Sequence, residues 1–173
     1  MAFDGILILP GIPGETQDEK YKADSGIDIL SFSWGLTQSG SAHLQKGAGS
    51  ASANFQDLTI TKAVDSASPK LMEFCALGTV IDPAATGKAD CKLVVRKASG
   101  DKAGAMEYFI VYMNGAYITS YSTGAGGGDG PILETVSFNF FEIRIDYNPQ
   151  EVDGAPAPTI EFGYNIENKV SVT

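Results

Sequence analysis

Ile132-Leu133-Glu134-Thr135-Val136-Ser137-Phe138-Asn139-Phe140-Phe141-Glu142-Ile143-Arg144-Ile145-Asp146-Tyr147 carries two apolar alternations that cannot belong to one flat strand. Val136, Phe138 and Phe140 share one parity; Phe141, Ile143, Ile145 and Tyr147 share the other. Successive side chains of an extended chain point to opposite faces, so a single strand cannot bury both sets on one side. A bulge or sharp bend near Phe140-Phe141 is required. The same phase change separates Ile27 and Ile29 from Leu30, Phe32 and Trp34. Strands that bend and change face turn the corners of barrels and orthogonal sandwiches. The pattern therefore predicts a mainly-β chain folded as a small barrel.

The flanking segments extend this reading. Ile160, Phe162, Tyr164 and Ile166 alternate with Thr159, Glu161, Gly163 and Asn165, and Cys91, Leu93 and Val95 alternate with Lys92, Val94 and Arg96. Residues 106–113 are apolar at both parities, as in a central strand covered on both faces. Asn114-Gly115, between two strand-like runs, predicts a tight hairpin. One short α-helix is legible beside the strands. Ser66 or Ser68 is expected to cap it, Pro69 suits its first turn, and Leu71, Phe74 and Cys75 form its apolar face. Gly78 suits its left-handed end. Residues 11–25, 37–52, 123–131 and 151–158 read as loops. The second is long, and rich in Gly, Ser and Ala. No repeat or composition shift divides the chain, so residues 1–173 are expected to form a single domain.

With 43% apolar residues the chain can fill a core. A net charge of −9 repels phosphate backbones, and no basic cluster offsets it, so nucleic acid is not an expected partner. No stretch reaches the roughly 18 apolar residues of a membrane span, and the N-terminus lacks a signal-peptide pattern. Composition thus points to the cytoplasm. Cys75 and Cys91 lack metal-ligand spacing and read as small buried side chains.

Catalytic chemistry finds little support. His43 is the sole histidine and lies in the Gly/Ser-rich loop, and no Gly-x-Ser-x-Gly occurs. The glycines of residues 124–130 are followed by Pro131 and a strand, not by the helix N-terminus that a phosphate cradle uses. Asp129 lacks the regular acidic spacing of a calcium loop. Glu142, Arg144 and Asp146 alternate on one strand face and are expected to meet solvent or a partner. No catalytic, cofactor or metal residue is assigned. The rival readings are a monomeric β-sandwich module binding carbohydrate or peptide, and a hydrolase with a carboxylate site. The first needs an exposed aromatic platform, whereas parity puts most aromatics inside.

Several ordered blocks then share one likeness. Ile27-Asp28-Ile29-Leu30-Ser31-Phe32-Ser33-Trp34-Gly35 runs into Gln38-Ser39-Gly40-Ser41-Ala42-His43. Phe55-Gln56-Asp57-Leu58, Thr61-Lys62, Asp65 and Ser68-Pro69-Lys70-Leu71-Met72 follow. Val94-Val95-Arg96-Lys97, Ser122-Thr123-Gly124, Glu134-Thr135-Val136-Ser137, Tyr147-Asn148-Pro149-Gln150 and Phe162-Gly163-Tyr164 complete the series. Over nearly its whole length the chain resembles the haemolysin-coregulated protein (Hcp) family of type VI secretion. That resemblance implies a small barrel of two antiparallel sheets with one short helix at its side. It also implies a homo-hexameric ring, stacking of rings into a tube, and propulsion by sheath and spike proteins. Small effector proteins are implied as lumenal passengers. Synthesis in the cytoplasm and export without a signal peptide are implied too. With Leu30, Phe32 and Trp34 assigned to the core, Ser31 and Ser33 face away from it, and the resemblance turns that face toward the lumen. Gln38, Ser39, Gly40, Ser41, His43 and Leu44 fall in the loop that the resemblance implies at subunit or ring contacts.

Overall fold

The chain changes sheets where the apolar parity changes. The structure, a computed structural model, describes residues 3–38, 53–83, 90–98, 105–126, 130–150 and 157–172. Its strands are β1 (Asp4–Ile8), β2 (Ile27–Ile29), β3 (Ser31–Ser33), β4 (Leu36–Gln38), β5 (Ala53–Phe55), β6 (Leu58–Ala63) and β7 (Val80–Ile81). They continue with β8 (Lys92–Ala98), β9 (Ala105–Asn114), β10 (Ala116–Gly124), β11 (Leu133–Asn139), β12 (Glu142–Tyr147), β13 (Ile160–Asn165) and β14 (Val170–Ser171). A helix, α1 (Ser68–Leu77), lies between β6 and β7. A seven-stranded sheet has the order β14-β13-β12-β9-β8-β1-β2, and a five-stranded sheet has the order β3-β6-β11-β10-β7. Every pairing is antiparallel. The two sheets form a small barrel around a core that includes Leu7, Ile27, Leu58, Ile60, Leu93, Val111, Val136, Phe138 and Ile143. Burying each such side chain fully contributes about 1.5–3 kcal/mol.

Both phase changes are sheet crossings. β11 ends in the smaller sheet, Phe140 is buried, Phe141 is exposed, and β12 begins in the larger sheet. Likewise β2 belongs to the larger sheet and β3 to the smaller. Leu30, expected in the core, is instead 54% exposed because it is itself the corner residue. Its N–H donates to Thr61 O at 2.8 Å, which pins the crossing. The core resumes at Phe32 and Trp34, both partly buried.

Asn114-Gly115 makes a third crossing and not a hairpin: β9 pairs with β8 and β12, whereas β10 pairs with β11 and β7. A type I′ hairpin needs positive φ at both central residues, and only Gly115 has it, at 62°. The Phe141 ring packs so close to Gly115 that an added Cβ would lie 1.7 Å from it. The Phe141 N–H donates to Asn114 O at 3.2 Å, so two corners lock together.

The helix forms as expected at its end and not at its start. Gly78 is left-handed (φ 62°, ψ 32°), its N–H donates to Cys75 O, and Thr79 N–H donates to Phe74 O. Neither Ser66 nor Ser68 caps the N-terminus; Ala67 holds that position. Asp65 takes over by accepting the Ala67 N–H at 2.9 Å, while the Ser68 hydroxyl accepts the Asp65 N–H at 3.0 Å. Cys91 is buried, Cys75 is half-buried, and both are free thiols.

The expected loop at 11–25 is a packed strap over the outer face of the larger sheet. Tyr21 joins Ile6, Ile8, Val94 and Ile110 in a second buried cluster there, with Tyr112 packed against it. Arg96 ties the strap down: its guanidinium reaches Asp4 at 3.0 Å and Asp18 at 2.8 Å, and lies over the Tyr21 ring. The Tyr21 hydroxyl donates to Glu107, which also accepts from Lys20. Burial favours the protonated Glu107 carboxyl, but the hydrogen bonds from Lys20 and Tyr21 outweigh it and hold the carboxyl below its usual range. Asp146, expected to meet solvent or a partner, is buried on this face with Arg144 Nε at 3.2 Å.

Candidate assembly surfaces

Among the described residues nothing covers the outer face of the smaller sheet, and that face is built of hydroxyls. Strand register aligns Ser31 with Thr61, Thr61 with Thr135, and Thr135 with Ser122. A second row runs Ser33, Thr59, Ser137, Ser120. Neighbouring strands lie about 4.8 Å apart, so the rows form a flat polar lattice. These positions are exposed or half-exposed, and they alternate with the buried Leu58, Ile60, Lys62, Glu134, Val136 and Phe138. Within the lattice the Thr59 and Ser137 hydroxyls are 2.9 Å apart. At one end Asp57 accepts from the Thr119 hydroxyl at 2.6 Å and from Asn139 Nδ2 at 2.7 Å. Ser31 and Ser33 thus lie on the exposed face expected for them, at its edge strand. The larger pattern was written in the sequence as four hydroxyl pairs spaced by two, Ser31/Ser33, Thr59/Thr61, Ser120/Ser122 and Thr135/Ser137.

Directly beneath, sequence reasoning missed a buried charge network. Lys62 is fully buried, with its ammonium 2.7 Å from Glu134, 2.7 Å from Asp65 and 2.8 Å from Ala63 O. The Tyr121 hydroxyl donates to the second Glu134 oxygen; burial, together with that carboxylate, pushes its pKa up to about 12. Each buried charge is therefore hydrogen-bonded, the condition for tolerating charge inside a core. The network joins β6, β10 and β11 to the turn that starts α1, so it holds the helix against the sheet.

Gln38 lies exposed at the end of β4, opposite Ala53 on β5. Ser39, Gly40, Ser41, His43 and Leu44 lie outside the described residues, as do residues 84–88. Apolar residues also reach the surface. Ile160 (62% exposed), Tyr147 (43%) and Phe162 (40%) form one patch on β12 and β13. Val80, Tyr117 and Phe141 form another near the crossings. Parity had placed Tyr147, Phe162 and Phe141 inside; the margins of the sheets leave them uncovered. Among the described residues no group of three or more His, Cys, Asp or Glu side chains is placed to hold a metal. No helix among them is long and apolar enough to cross a membrane.

Residues 2–147 match the family described as type VI secretion system effector, Hcp. The chain belongs to the Hcp family. It is 36% identical to the protein hcp1 of Pseudomonas aeruginosa over 171 residues, covering 98% of this chain and 99% of the relative. The fold agrees. A solved structure of a type six secretion system protein superposes with a TM-score of 0.83 at 26% identity, over 98% of this chain and 99% of the other. Hcp1 from Salmonella typhimurium gives 0.76 at 27% identity, over 99% and 100%. The Hcp family is a structural part of type VI secretion. For this Hcp chain the surfaces that matter are thus those that meet other proteins.

Proposed function

We propose that this chain, acting as one domain over residues 1–173, closes into a hexameric ring with its hydroxyl lattice facing the hole. Rings stack into a tube that sheath and spike proteins drive out of the cell, and small effector proteins travel in the lumen. The chain is made in the cytoplasm and leaves through this apparatus without a signal peptide. The observation that carries the reading is the contrast in covering. The larger sheet buries its outer face under a strap, whereas the smaller sheet leaves two complete hydroxyl rows in water. A wall of short, uncharged, hydrated side chains keeps a channel open without gripping its contents. Ser31 and Ser33 then line the lumen, and the segment containing Gln38, Ser39, Gly40, Ser41, His43 and Leu44 meets the adjacent subunit or ring.

The exposed patches around Phe162 and Phe141 support self-association, because uncovered apolar clusters mark contact surfaces. Cyclic closure is the form of such association that ends in a defined size. Native mass spectrometry at micromolar concentration, with electron microscopy of the same sample, tests the reading. Hexamers with a central hole are expected. A purely monomeric mass contradicts it, and a monomer that binds a glycan panel through Tyr147 or Phe162 replaces it with a binding module.

A further inference from the structure

The ribbon formed by β4 and β5 belongs to neither large sheet. Its three residue pairs are Leu36 with Phe55, Thr37 with Asn54 and Gln38 with Ala53. A lone two-stranded ribbon is marginal in water, so something outside it must hold it. Its base supplies this hold. Gln56 N–H donates to Gly35 O at 2.9 Å and closes the neck. Above the neck, the Trp34 and Phe55 rings lie 6.4 Å apart, and Phe55 stacks on Tyr164 at 5.0 Å with 22° between the planes. Trp34 follows β3 of the smaller sheet, and Tyr164 belongs to β13 of the larger sheet. The stack therefore clamps the ribbon to both sheets at once.

Resting on the tube reading above, we infer that Trp34, Phe55 and Tyr164 form an aromatic seat. This seat fixes the angle at which the ribbon leaves the barrel, so that Leu36, Thr37 and Gln38 meet a second copy in the next ring. Charge argues for a second copy as the occupant. Every residue of the ribbon and its neck, Trp34 to Gln38 and Ala53 to Gln56, is uncharged, in a chain of net charge −9. Identical acidic copies repel wherever charged faces meet, so a contact between them needs a neutral projection. Leu36 is exposed and apolar, and Thr37 and Gln38 are exposed and offer hydrogen bonds. The aromatic residues themselves act as positioning residues, through the ribbon they hold.

Two readouts on the purified full chain test this. Hydrogen exchange reports the ribbon amides at 36–38 and 53–55, and sedimentation across concentration reports ring-on-ring association. The variants are Tyr164→Ala, Phe55→Leu, which keeps apolar bulk without the stack, and the conservative Tyr164→Phe. Losing an aromatic pair should speed ribbon exchange by up to about tenfold and weaken ring stacking comparably. Rings should remain hexameric in all variants, and Tyr164→Phe should behave as the parent. Unchanged ribbon exchange in Tyr164→Ala and Phe55→Leu overturns the seat. Faster exchange with unaltered stacking overturns its role at the ring contact, as does a parent whose rings never associate. A parent that forms no ring overturns the tube reading itself, which this experiment registers separately as a monomeric mass.

Discussion

The outer faces of the two sheets solve opposite problems. The larger sheet places Ile6, Ile8, Val94 and Ile110 outward, so it must be covered, and the strap with Tyr21 covers it. The smaller sheet places Ser31, Ser33, Thr59, Thr61, Ser120, Ser122, Thr135 and Ser137 outward, so it needs no cover. The difference teaches where each sheet's stability comes from. The larger sheet is sandwiched between two apolar layers. The smaller has one apolar layer, plus a buried ionic network at the end that carries the helix.

The comparison breaks most readily beneath the bare face. Lys62→Met leaves Glu134 buried with only Tyr121 as partner, and should destabilise by about 3–5 kcal/mol. Denaturant unfolding checks this; the double variant Lys62→Met/Glu134→Leu should recover part of the loss, because Glu134 is then no longer a lone buried charge, although Asp65 still lacks its cation. On the covered face Tyr21→Ala should cost about 3 kcal/mol by opening a gap between strap and sheet. Hydrogen exchange should then rise in the strap well before it rises in β6 or β11.

A smaller effect comes from pH. The folded Glu107 carboxyl lies below its usual range, so its contribution is present at neutral pH and is lost as pH falls through the folded value. Thermal stability should decline below roughly pH 4, and Glu107→Gln should flatten that decline. The smallest effect belongs to the lattice itself: Ser33→Ala or Thr135→Ala should change stability by no more than about 0.5 kcal/mol, since these hydroxyls face water. A cost of several kcal/mol would show that the lattice serves the fold.

The same comparison explains what was legible beforehand. The crossings at Leu30 and at Phe140-Phe141 were visible, because parity is a local signal that a strand cannot hide. The outward set of Ser31 and Ser33 was visible for the same reason, and so was the helix end at Gly78. The hairpin expected at Asn114-Gly115 failed because β8, β11 and β12 compete as partners for the two strands, and the dipeptide does not reveal which partner wins. Leu30 failed because a corner residue has no inside. The Lys62–Glu134 pair spans 72 positions, and either residue alone reads as a solvated charge on a strand. The strap failed because its polar sequence conceals anchors supplied by Asp4, Arg96 and Glu107 from distant strands. The repeated two-spaced hydroxyls were readable, and need only be counted across strands to emerge as a wall.

The central claim is that this wall faces the hole of a ring. A Ser33→Cys variant, with Cys75→Ala to remove the half-buried competing thiol, can carry a maleimide gold cluster and be averaged by electron microscopy. The account predicts ring projections with gold density confined to the central hole. Gold around the outer rim, or labelled particles that form no ring, would contradict it.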